Sequence, residues 1–255
     1  MRRLAAAVLS LLRLAGSAET SFAQPAADDT FISAIKLMRP PQPPQPQSGA
    51  RSSPSAAGAP IVDRTGFFIS SRGDFLTAAH VLQAFGPGGQ LANCPLTVLY
   101  EGAVDVPGVF GGVAFVVSLS DCVTDIELDI ARCHTIDAVS KLAGGGYAPR
   151  PVTFDASQRD DGTAIAITGF PLLNIRPVSS RGYIGAYTLD PRGPVQMVLD
   201  RASWPGGSGS PVYDSKGKVL GMVLQTGEGL AVGISNARSS FAIAKFLAAH
   251  PIKDR

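Results

Sequence analysis

An all-β fold, built as barrels or a sandwich, is what this sequence predicts, on three observations. Charged residues are sparse at 16%, while 28 glycines and 20 prolines punctuate the 255 residues. That balance suits a turn-rich β protein better than a helical bundle. Apolar runs of strand length recur between turn residues, and only one stretch, near the C-terminus, has the apolar spacing of a convincing helix.

The elements follow in chain order. "MRRLAAAVLSLLRLAGSAETSFAQP" opens on Arg2 and Arg3 and continues apolar from Leu4 to Leu12. Small residues follow, with Ser21-Phe22-Ala23 spaced as a cleavage site and Gly16-Ser17-Ala18 as a second choice. An export signal over residues 1–23 is therefore expected. Its apolar run is far shorter than the roughly 18 residues of a membrane span. The mature protein is expected to be periplasmic or secreted, without stable membrane insertion. Asp29 to Arg39 carries Phe31, Ile35 and Met38 at helical spacing, which predicts a short helix or an element that docks on a partner. "PPQPPQPQSGARSSPSAAGAP" is nearly free of large apolar residues. Such a stretch buries too little surface to offset its ordering entropy, so residues 24–60 are expected to be a disordered linker.

The folded domain is expected from Ile61 to about His250. "TGFFIS" and "DFLTA" flank Ser71-Arg72-Gly73, a hairpin connection. "LTVLY", "VAFVVSL", "IELDIARC", "TAIAITGF", "GYIGAYTL", "VQMVLD" and "KVLGMVLQT" read as further strands. "SSFAIAKFLAAH" places Phe241, Ile243, Ala244, Phe246 and Leu247 on one helical face, and Pro251 stops it.

Several function classes drop out. The formal charge is +2 and no basic stripe interleaves with aromatics, which sets nucleic acid aside. No phosphate loop or internal repeat is present, and no cofactor is expected. Three cysteines, Cys94, Cys122 and Cys133, allow at most one internal bridge in an exported protein. Cys133-His134 lacks the partners of a metal site, so no metal is expected.

Three polar residues remain. His80, in "FLTAAHVLQAF", is carried by a helical turn that begins just after Thr77. Imidazole is the side chain best suited to act as a general base near neutral pH. Asp129 lies in "IELDIARC", where a carboxylate is costly without a partner, and an imidazole is its natural one. Ser208 sits in Pro205-Gly206-Gly207-Ser208-Gly209-Ser210-Pro211. Those glycines let the Gly206 and Ser208 amides converge on one spot, as an oxyanion requires. Singly, each residue has a bland alternative: a core histidine, an outward carboxylate, a turn serine. In the order His, Asp, Ser within one β-rich domain, they match one of the known chain orders of the serine-protease triad.

At these residues the sequence resembles the trypsin-like serine peptidases of the chymotrypsin fold, most closely the bacterial HtrA-like branch, without a PDZ domain. "TGFFISSRGDFLTAAHVL", "ELDIARC", "ITGFPLLNIRPVSSRGYIGAY" and "LDRASWPGGSGSPVYDSKGKVLGM" carry the resemblance, over roughly residues 61–249. It implies two six-stranded antiparallel β-barrels with a C-terminal helix and the site in the cleft between the barrels. His80 would be the general base, Asp129 its orienting carboxylate and Ser208 the nucleophile, with the oxyanion at the Gly206 and Ser208 amides. Gly207 replaces the aspartate of zymogen-type members, which implies activity without clipping at Ile61. Leu224 stands where animal members often place a serine behind the aspartate. Asp200 to Ser203 would form one wall of the pocket for the residue before the cut, with its base near Ala202 and Thr226 as a second pocket residue, and it would take a small or medium aliphatic side chain. Polypeptide substrates are the implied partners, and the sequence sets no oligomeric state. The competing reading is a catalytically silent relative that binds peptides or partner proteins.

Overall fold

The apolar runs assemble into two antiparallel sheets, one from each half of the chain. The computed structural model describes residues 34–38, 64–85, 95–100, 113–118, 120–134, 151–173, 177–188, 190–226 and 233–252. The expected signal at 1–23 and the Pro/Gln-rich stretch at 40–60 lie outside these residues, as does Cys94.

The first sheet contains β1 (Ala34–Met38), β2 (Arg64–Phe68), β3 (Asp74–Thr77), β4 (Pro95–Tyr100), β5 (Val113–Ser118), β6 (Ser120–Asp125) and β7 (Ile130–His134). Its order is β5-β4-β1-β2-β3-β7-β6. The two end strands are consecutive in the chain, since β5 stops at Ser118 and β6 starts at Ser120. The β6–β7 pairing carries a register shift between Ser120 and Val123.

β1 corrects the expectation of a helix at Asp29–Arg39. Residues 34–38 pair antiparallel with β2 on one side and β4 on the other. A helix this short pays the cost of nucleation without recovering it in water. The slot between two strands supplies its backbone partners instead. The folded part therefore includes a strand upstream of Ile61, inside the span expected to be linker.

The second sheet contains β8 (Thr153–Phe154), β9 (Ala164–Gly169), β10 (Val178–Tyr187), β11 (Gln196–Leu199), β12 (Pro211–Tyr213), β13 (Lys218–Thr226) and β14 (Ser235–Ser239). The order β12-β9-β10-β11-β14-β13 closes through the β12–β13 pairing into a barrel, and β8 joins β13 in parallel. Ile165, Ile167, Ile184, Met197, Leu199, Val212, Leu220 and Val223 fill its interior. A second cluster spans both halves, joining Phe67, Phe75, Leu76, Leu82 and Ile130 to Tyr213, Val219, Met222 and Leu224. β13 thus buries both faces, which is why "KVLGMVLQT" reads as a continuous apolar run.

Two α-helices lie among the described residues. α1 (Ala79–Phe85) follows β3 directly, and α2 (Ser240–Ala249) closes the described chain. Ser239 caps α2 by accepting the Ala242 amide, as serine does at this position. Ile243 and Phe246 then pack into the shared cluster. Arg132 ties the helix end to the first sheet, donating to the His250 carbonyl at 2.6 Å.

Cys122 and Cys133 form a disulfide between the neighbouring strands β6 and β7. His134 faces Asp74 across the β3–β7 pairing, with Nδ1 3.1 Å from Oδ1. The bridge closes a chain separation of 11 residues, and its loss should cost about 2–4 kcal/mol by the loop-closure argument. Urea unfolding of Cys122→Ala/Cys133→Ala against the oxidised protein is expected to show a lower midpoint.

Candidate active site

β3 delivers Thr77 to the end of the first sheet, and α1 carries His80 out of it. Nδ1 of His80 lies 2.7 Å from Oδ2 of Asp129, and the His80 amide donates to Oδ1 at 2.9 Å. An ionised carboxylate only accepts, so the ring proton sits on Nδ1. The lone pair of the neutral ring is then on Nε2, the atom that faces away from Asp129.

Asp129 stands in a turn and not within a strand, as "IELDIARC" had implied. Residues 126–129 form the turn, the Asp129 amide donates to the Ile126 carbonyl, and β7 begins only at Ile130. Its φ of 52° is left-handed, a conformation that aspartate tolerates better than most side chains. The Asp129 carbonyl also accepts from the Ala79 amide at 3.3 Å. Backbone and side chain of this turn together grip the start of α1.

The second half reaches this turn through Arg238. Its Nε donates to the Leu128 carbonyl at 2.6 Å. Burial pushes the guanidinium below the ordinary arginine range, and Asp129 is foremost among the charges that oppose the shift. Leu224, expected behind the aspartate, is buried in the shared cluster.

Ser208 arrives from the barrel on the loop between β11 and β12. Gly206 and Gly209 take φ values of 96° and 85°. A Cβ on Gly209 would lie 2.0 Å from the Thr65 carbonyl oxygen and 2.6 Å from Thr77 Oγ1. Glycine alone lets the loop lie this close to β2 and the end of β3. The Ser208 carbonyl accepts from the Thr65 amide at 3.1 Å. The Gly207 amide bonds the Trp204 carbonyl at 2.8 Å. Among the described residues, the Gly206 and Ser208 amides have no hydrogen-bond acceptor. The Ser208 hydroxyl makes no hydrogen bond to the imidazole.

The two expected pocket residues lie on separate elements. Ala202 is half-buried in the loop after β11, and Thr226 ends β13 opposite Ser235. Ser235 Oγ donates to the Arg201 carbonyl at 2.7 Å, joining that loop to the same strand pair. Sequence reasoning missed Arg238 and Thr65 as contributors to the site. Their only signals were a lone cation in "SNARS" and a threonine opening an apolar strand.

A sequence model of the trypsin-like peptidase domain matches residues 64–222. The chain belongs to this family. Its activity class is that of a serine endopeptidase. The fold is similar to the Rv3671c protease from M. tuberculosis in its active form, with a TM-score of 0.59 at 19% identity, over 88% of this chain and 83% of that one. The inactive form of the same protease gives 0.56 at 18% identity, over 88% and 91%. The serine endoprotease from Yersinia pestis gives 0.57 at 17% identity, over 87% of this chain and 63% of that one. No curated protein sequence matches.

In this trypsin-like peptidase, Gly209→Ala should force the serine loop off β2. The expected loss is about 1–3 kcal/mol of stability, as for other overpacked sites, together with a fall in peptide hydrolysis. Urea unfolding and turnover of a protein substrate measure the two effects.

Proposed function

We propose that the chain is an exported serine endopeptidase that cleaves peptide bonds through an acyl-enzyme formed by His80, Asp129 and Ser208. One observation carries this reading: Asp129 grips His80 through two hydrogen bonds, while the Gly206 and Ser208 amides have no acceptor among the described residues. Nε2 of His80 takes the hydroxyl proton as Ser208 Oγ attacks the scissile carbonyl carbon. The carbonyl oxygen gains the negative charge, and the two amides stabilise it. The proton then passes from Nε2 to the leaving nitrogen, the C–N bond breaks, and the acyl group stays on Ser208. Water, deprotonated by His80, attacks the ester; the bond to Ser208 Oγ breaks, the imidazolium returns its proton to that oxygen, and the new carboxyl group leaves. Asp129 stabilises the imidazolium in both halves and keeps its own charge. These steps need no cofactor.

Export is supported by the basic, apolar, then small-residue order of the N-terminus. The Cys122–Cys133 bridge supports it too, since disulfides persist in oxidising compartments. A small or medium aliphatic residue before the cut fits the uncharged side chains of Ala202 and Thr226. The silent, peptide-binding alternative is favoured by a single observation, the absence of a Ser208–His80 hydrogen bond. Catalytic hydrogen bonds are often long before substrate arrives.

A fluorophosphonate probe applied to the purified mature protein separates the two readings. Wild type should label at Ser208, whereas Ser208→Ala and His80→Ala should not. Peptide turnover should fall by about 10⁴-fold or more in either variant, as in other triads. A folded wild type that does not label would support the silent reading.

A further inference from the structure

A glycine-rich loop has few side chains of its own to hold two amides in a fixed direction. Here the carbonyls on either side of the Gly206 backbone are held from outside. The Pro205 carbonyl accepts from the Leu172 amide at 2.8 Å, and the Gly206 carbonyl accepts from Thr65 Oγ1 at 2.9 Å. A trans peptide unit carries its C=O and N–H on opposite sides of one plane. Holding the Pro205 carbonyl therefore sets the direction of the Gly206 N–H. Holding the Gly206 carbonyl sets the next plane, whose N–H bonds Trp204.

Both anchors converge on Thr65. Its Oγ1 also accepts from the Phe170 amide at 3.0 Å, within the turn that carries Leu172. Its own amide takes the Ser208 carbonyl, and its carbonyl accepts from Thr77 Oγ1 at 2.8 Å. Thr65 is fully buried, so these groups have no water to fall back on. Leu172 is left-handed at φ 55°, a conformation unfavourable for leucine. The surrounding bonds, not the local preference of the residue, keep its amide on Pro205.

We propose that Thr65 is a positioning residue for the oxyanion hole. Its hydroxyl couples the 169–172 turn to the serine loop and keeps the Gly206 N–H aimed at the reacting carbonyl. This rests on the assignment of Gly206 and Ser208 as oxyanion donors. Without the hydroxyl, the Gly206 carbonyl and the Phe170 amide lose their partner inside the protein. Once the Phe170 amide is released, the 169–172 turn shifts, and the Leu172 amide that holds the Pro205–Gly206 plane shifts with it, which withdraws a donor. That donor matters most once charge develops on the oxygen, so its loss falls on kcat and spares KM.

The test compares mature wild type, Thr65→Val and Thr65→Ser by peptide kcat and KM, fluorophosphonate labelling rate and thermal melting. Thr65→Val should lower kcat by about ten- to a hundredfold and leave KM within about twofold, toward the loss of an oxyanion donor. Thr65→Ser, which keeps the hydroxyl, should stay within about threefold of wild type by the same argument. A folded Thr65→Val with wild-type kcat overturns the proposal, and so does a Thr65→Ser as impaired as the valine variant. If Thr65→Val does not fold, Thr65→Ser alone decides, on the same criterion of near wild-type turnover. A wild type that neither labels nor cleaves would sink the triad assignment, and this inference with it.

Discussion

Phe67, Leu76 and Ile130 of the first sheet share one buried cluster with Tyr213 and Met222 of the second and Ile243 of α2. The site depends on that seam, because His80 comes from one side of it and Ser208 from the other. Each large side chain fully buried there contributes about 1.5–3 kcal/mol. A single hydrogen bond across the seam nets only about 0.5–1.5 kcal/mol. Apolar burial therefore decides that the halves stay docked. The hydrogen bonds of Thr65 and Arg238 decide the register in which they do so.

The backbone conformations around the site fit this division. The described non-glycine residues with positive φ are Asp121, Asp129 and Leu172. Two of the three touch the site, Asp129 through the imidazole and Leu172 through the serine loop. Such conformations persist only where neighbours over-determine them. Asp129 is held by Ile126, Ala79 and His80, and its turn is further bonded by Arg238. The strain is concentrated where atomic positions matter most, and the rest of both sheets is free to be regular.

Much of this was legible in the chain because its signals are local. The hairpin at Ser71-Arg72-Gly73, the runs that became β9 to β11 and β13, and the capped helix α2 all have a period or turn chemistry that needs no distant partner. β14 escaped notice because "SNARS" is polar, yet Ser235 and Ser239 are buried, with their hydroxyls bonded to the Arg201 and Pro194 carbonyls. Those acceptors are remote in sequence. β1 was misread for the same kind of reason, since its five residues take their conformation from β2 and β4. At the site, the glycines around Ser208 and the apolar setting of His80 are visible in the sequence. The turn at Asp129 and the reach of Thr65 across the seam are not, because each depends on atoms from another part of the chain.

β1 has a structural consequence of its own. It is the strand through which β4 and β5 join β2, and the two stretches that flank it in the sheet lie far along the chain. A chain beginning at Ile61 would leave two facing rows of unpaired amides and carbonyls in the middle of the first sheet. Open edges of that kind recruit whatever strand is at hand, including one from another molecule. The N-terminal stretch thus acts as a splint for the domain, and trimming it would invite self-association before it touched the chemistry.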